Sequence, residues 1–216
     1  MTKFAPSIPG LRTSEGIQCL QTPMTASANA LLDCFVPCPD VRGRLTITVR
    51  APAEFVMDVA RRFEIESLWI VRTLFRLRAA LLRAPAPPTQ RLGLVCQMRK
   101  IGWACLAEDP ARYFVAGAAC RPWQADPGFS PIASEDFLDF VQPDCVKIAW
   151  TLETSALGAA KTRFATETRV VATDNAARAK FKTYWRKFGV GIVLIRLVLL
   201  PALRRRAEKA WRERQG

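Results

Sequence analysis

The chain has 216 residues, half of them hydrophobic, no histidine, and a formal charge of +13 at neutral pH. That is enough to bury one substantial core with extensions at its ends. The missing imidazole excludes serine–histidine–acid and cysteine–histidine nucleophiles within these residues, along with histidine-ligated zinc and the facial triad of non-haem iron. Acid–base work would fall to Asp, Glu, Lys, Tyr, Cys or an ordered water, and no metal or cofactor is expected.

Residues 1–30 mix Pro, Ser, Thr, Gly and Ala without period and read as a flexible extension, with Met24 as an alternative start. Residues 31–216 are expected to form the folded domain. Pro6, Pro9 and Gly10 leave no room for the apolar region of a signal peptide. Seven cysteines are scattered without a C-x-x-C pair, which reads as reduced, buried thiols in a cytoplasmic protein.

Leu45, Ile47 and Val49 alternate with Thr46, Thr48 and Arg50, a strand with one buried face. Pro52 ends it and suits the first turn of a helix through Phe55, Val56 and Val59. A second helix follows over "IESLWIVRTLFRLRAALLRAP", ended by the loop "APAPP". From Leu92 strands are expected. Gly102–Asp109 and Arg112–Cys120 flank a turn at Asp109–Pro110, and Ser134–Val141 fits either a short helix or a strand.

Val146, Ile148, Trp150 and Leu152 share one face of the next strand, and Lys147, Thr151 and Glu153 the other. After the turn at Gly158, Phe164, Val170 and Ala172 share a face with Thr162, Thr166 and Thr168. Lys161, Arg163, Glu167 and Arg169 lie opposite. The pattern predicts an antiparallel hairpin with an apolar inner face and a solvated ladder of ion pairs outside. Asp174 then reads as the N-cap of a helix carrying Ala177, Phe181, Tyr184, Trp185 and Phe188 on one side. Gly189 or Gly191 is expected to break it before a final helix, Ile192 to about Arg214, kinked near Leu197 by Pro201. "FGVGIVLIRLVLLPAL" is interrupted by Arg196 and falls short of the roughly 18–20 apolar residues that span a bilayer.

Twelve basic residues lie between Arg178 and Gly216 against Glu208 and Glu213, so the last 39 residues carry +10 of the net charge. One tryptophan among the charges of "RRRAEKAWRERQG" gives no series of stacking platforms, which disfavours nucleic acid. Peripheral contact with an anionic membrane fits this segment, as does the solvated end of a helix.

The segments "LTITVRAPAEFVMDVA", "GWACLAEDPARYFVAGAACRPW", "VKIAWTLETSALGAAKTRFATETRVVATDNAARAKFKTYW" and "LIRLVLLPALRRRAE" together resemble the SRPBCC, or START-like (polyketide cyclase/dehydrase-like), superfamily from about Leu32 to Glu208. The resemblance implies an α+β helix-grip fold, with a curved antiparallel sheet of about seven strands around a long C-terminal helix. It also implies an apolar cavity between them for a small hydrophobic molecule, and no particular catalytic motif. Trp103, Trp123, Trp150, Phe164, Thr166, Thr168, Ile195 and Leu199 are candidates to line that cavity, with Leu74 and Phe75 at its mouth; packing as plain core is the alternative for each. Arg121 could orient a ligand oxygen and Tyr113 donate to a carbonyl if the protein is instead a cyclase or aromatase.

Overall fold

The computed structural model describes residues 28–85 and 91–216, so most of the expected N-terminal extension and part of the "APAPP" loop lie outside the described residues. Among the described residues six strands form one antiparallel sheet: β1 (Val41–Val49), β2 (Ala104–Asp109), β3 (Tyr113–Cys120), the short β4 (Ser130–Pro131), β5 (Val146–Gly158) and β6 (Lys161–Ala172). The resemblance implied about seven. The order is β1-β6-β5-β3-β2, with β4 paired to β3. Helices α1 (Ala28–Phe35), α2 (Ala53–Arg61), α3 (Trp69–Leu81), α4 (Leu94–Lys100) and α5 (Asn175–Glu213) complete the chain. The fold is therefore α+β, with a long C-terminal helix.

The centre of the sheet is the hairpin that the alternating pattern predicts. β5 and β6 pair antiparallel from Val146 opposite Ala172 to Gly158 opposite Lys161. On one face, Val49, Phe114, Leu152 and Phe164 pack against α2, α4 and the second half of α5. β3 is buried along nearly its whole length because its run of small and apolar residues faces packed side chains on both sides. At Gly117 a Cβ would come within 2.5 Å of the Phe137 ring and 2.6 Å of Leu106 Cδ1, so only glycine fits there.

The other face is not the solvated ladder that its charges imply. α1 and the segment 132–145 cover it with Leu32, Phe35, Val36, Ile132 and Phe137. Glu167 and Arg169 are 2 % and 1 % exposed, joined by Arg169 Nε to Glu167 Oε1 at 2.8 Å. Burial is tolerated because each charge is met. Arg42 Nε lies 2.8 Å from Glu167 Oε1, and Arg169 NH1 reaches Asp33 Oδ1 at 2.6 Å and the Val36 carbonyl at 3.1 Å. Burial alone would pull the Arg169 guanidinium down; hydrogen bonds and charge from Glu167 and Asp33 outweigh it and hold it above its ordinary value. Lys147, also buried, donates to the carbonyls of Phe137 and Leu138 at 3.0 and 2.7 Å. Desolvation lowers its pKa, partly offset by Asp139. Strand alternation says which residues share a face, but not whether that face meets water.

Other expectations need correction. α1 starts at Ala28, inside the stretch read as extension. α4 replaces the first of the strands expected from Leu92, since Leu94, Val95 and Met98 form a helical stripe too short to stand out from a strand. Ser134–Val141 forms turns rather than a helix or strand. α5 runs unbroken for 39 residues, about 58 Å at ~1.5 Å per residue, through Gly189, Gly191 and Pro201. Gly189 does not end the helix; it makes room for Trp185, whose Cε2 would lie 2.9 Å from a Cβ there. Cys120 and Cys145 are buried thiols, but Cys38, Cys96 and Cys105 are exposed and Cys34 is disulfide-bonded. The cysteines therefore no longer argue for a reducing compartment. Among the described residues, no helix is long and apolar enough to cross a membrane.

Candidate functional site

Asp174 fixes how α5 leaves the sheet. Its Oδ1 accepts from Ala177 N at 2.7 Å, as an N-cap should, and its Oδ2 accepts from Asp144 N at 2.6 Å. The Ala177 bond, then the Asp144 bond, hold the carboxyl below the usual aspartate value. The cap thereby ties the helix start to the loop before β5. From there α5 crosses the sheet and seals it in two places. Ala177, Phe181 and Tyr184 close over Val146, Val170 and Ala172, while Leu199, Leu200 and Leu203 close over Leu152 and Phe164.

Between the two seals the contact opens. Ile148 and Trp150 on β5 and Thr168 on β6 face the helix from interior strands, yet remain only half-buried. The helix residues above them, Phe188, Ile192, Ile195 and Arg196, are half-buried as well. This leaves a half-buried apolar stretch, a gap between the two seals, on interior strands beneath the helix. A row of cross-strand partners runs under it, from Gly43 to Thr168 to Trp150 to Ala116.

The polar groups around the gap differ in how they are satisfied. Thr166, 3 % exposed, accepts from Trp150 Nε1 at 2.9 Å and donates to the Thr151 carbonyl at 2.7 Å, so its hydroxyl is spent holding the Trp150 indole. Thr168 makes no side-chain hydrogen bond to another described residue. Arg196 donates through NH1 to the Gly43 carbonyl at 3.0 Å and has no carboxylate within ion-pair distance among the described residues. Burial pulls its pKa below the usual arginine range, only partly offset by the charge of Glu167.

The sequence candidates divide along this geometry. Trp150, Thr168 and Ile195 line the gap, and Thr166 supports it from below. Phe164 and Leu199 belong to one of the seals. Trp103 is core, tilted against Phe129 with ring centroids 5.6 Å apart, and its buried Nε1 has no hydrogen-bond partner among the described residues. Leu74 and Phe75 are half-buried on α3, Leu74 lying 3.8 Å from where a Gly191 Cβ would stand. Trp123 lines an open groove of about 890 Å³ with Leu81, Lys180, Tyr184, Lys187 and Phe188.

Tyr113 and Arg121 do not come together. They flank the two ends of β3, about 27 Å apart at ~3.4 Å per residue. Tyr113 packs on the face away from α5, and Arg121 is committed to the Asp144 and Pro143 carbonyls at 2.8 and 3.4 Å. Arg196 was absent from the candidates. Its signal was visible as the lone charge in an apolar run, but there it weighed only against a membrane span.

The described residues thus define an α+β protein with a six-stranded antiparallel sheet, a long C-terminal helix and a half-buried apolar stretch where the two meet. No family model matches the chain, and no curated protein matches it. Among solved structures, that of DR_A0006 from Deinococcus radiodurans aligns with 70 % of this chain and 99 % of its own, at 16 % identity and a TM-score of 0.30.

Proposed function

We propose that the protein binds a small hydrophobic molecule, of the lipid, polyketide-like or aromatic metabolite kind, between the sheet and α5. In this reading the architecture is the helix grip of the START-like domains that the sequence resembles. The observation that carries it is the accessible apolar surface of Ile148 and Trp150 on an interior strand under a helix. An unfilled apolar gap loses van der Waals contacts that a ligand restores, which is why such sites take apolar molecules. Tyr113 and Arg121, at opposite ends of β3, do not converge, so the pair gives no support to the cyclase or aromatase alternative.

The test is native mass spectrometry of the full chain purified from its own host, followed by titration with a neutral fluorescent probe such as aminoanthracene. A retained small molecule, or saturable binding of the probe, is expected. An empty protein that also fails to bind the probe refutes the reading.

A second reading has its own observation. Val190, Val193, Leu194 and Leu197 form an exposed stripe along the middle of α5, and Trp69, Leu77 and Leu81 are exposed on α3. Lys187 precedes the stripe and Arg204 and Arg205 follow it. Exposed apolar residues bracketed by cations suit an anionic membrane surface, where apolar burial and charge attraction add. The two readings are compatible, because a protein that carries a lipid has to meet a membrane.

A further inference from the structure

Between Lys187 and Arg204, α5 offers sixteen residues of which only Arg196 is charged. The side chain turns inward over β1, and the strand accommodates it: a Cβ on Gly43 would lie 2.7 Å from Arg196 NH1. Among the described residues only one of its five N–H donors has a partner, the Gly43 carbonyl. Its remaining nitrogens keep some accessible surface. Nor do the neighbouring arginines of β1 share this space. Arg42 and Arg44 alternate to the other face, where they pair with Glu167 and Glu153. Thr168, the cross-strand partner of Gly43, adds a hydroxyl on the same face with no side-chain hydrogen bond to another described residue.

A guanidinium held at an apolar gap without a counter-charge is costly unless an anion is present for part of its working life. We propose that Arg196 anchors the acid group of the ligand: the bound molecule is a hydrophobic monocarboxylate, its carboxylate on Arg196 with help from the Thr168 hydroxyl and its apolar part along Trp150 and Ile148. This rests on the gap being the ligand site. The charge count selects a carboxylate. One guanidinium balances a single negative charge, whereas a phosphate monoester brings about −1.5 to −2 and would call for a second cation.

The experiment compares dodecanoic acid with its methyl ester as displacers of aminoanthracene from the full-length wild type, Arg196→Met and Arg196→Lys, at about pH 7 where the acid is ionised. The expected result is that wild type prefers the acid by at least about tenfold. Arg196→Met should lose that preference, and Arg196→Lys should keep part of it. Equal displacement by acid and ester in the wild type would overturn the anchor and leave the ligand gap standing. If neither molecule displaces the probe, or the probe itself does not bind, the gap and the anchor fall together. The wild-type comparison does not depend on whether either variant folds.

Discussion

Arg169→Met removes the arginine that joins β6 to α1 through the buried charge cluster while keeping most of the side-chain volume. The change leaves Glu167, 2 % exposed, without its closest buried partner. Losing one member of a buried pair generally costs about 3–5 kcal/mol. Here the lower end applies, because Arg42 and Arg44 still reach Glu167 at 2.8 and 3.3 Å. The bond to the Val36 carbonyl is also lost, worth about 0.5–1.5 kcal/mol. The total is roughly 3.5–4.5 kcal/mol, and at about 2–4 °C per kcal/mol for a chain of this size Tm should fall by about 7–18 °C. Thermal denaturation measures the fall, and hydrogen exchange should show α1 losing protection first, since Asp33 and Val36 are its ties to Arg169. The double variant Arg169→Met, Glu167→Gln should cost less than the sum of the single changes, because it removes both charges together. A loss below about 1 kcal/mol for Arg169→Met, or strict additivity in the double variant, would refute the claim that the pair is a coupled, buried unit.

Asp174→Ala should lower Tm at neutral pH by removing the α5 cap and the tie to Asp144. Because the folded carboxyl lies below its ordinary value, its contribution is present above the unfolded value of about 3.9 and disappears as pH falls through the folded one. The gap in Tm between wild type and variant should therefore close in acid; a gap unchanged at the lowest pH at which the fold survives would contradict this. For the exposed stripe, Leu194→Glu with Leu197→Glu should weaken sedimentation with phosphatidylserine-containing vesicles by at least about tenfold, and wild type should not sediment with neutral vesicles. Equal sedimentation of wild type and variant would show that α5 does not carry membrane contact.

Much of this architecture was legible in the chain. The two-residue alternation of β1, β5 and β6 marked the strands and their faces, since side chains in a strand can only point one way or the other. Asp174 marked the start of α5 because an aspartate before an alanine-rich stripe accepts the free N–H groups of the first turn. Both are local effects, decided by neighbours in sequence.

What the tertiary structure decided is where each face goes. Glu167 and Arg169 looked like a solvated ladder and proved buried, because α1, more than 130 residues away in the chain, lies over them and supplies Asp33 and the Val36 carbonyl. Trp150 and Thr166 looked equivalent as lining residues. The fold gave Thr166 two hydrogen bonds and left Trp150 accessible. Arg196 stood in plain view as one charge in a greasy helix, and its meaning depended on which strand α5 crosses at that turn. Local sequence sets which side chains travel together, whereas the desolvation and pairing that give a charge its role depend on elements brought close only by folding.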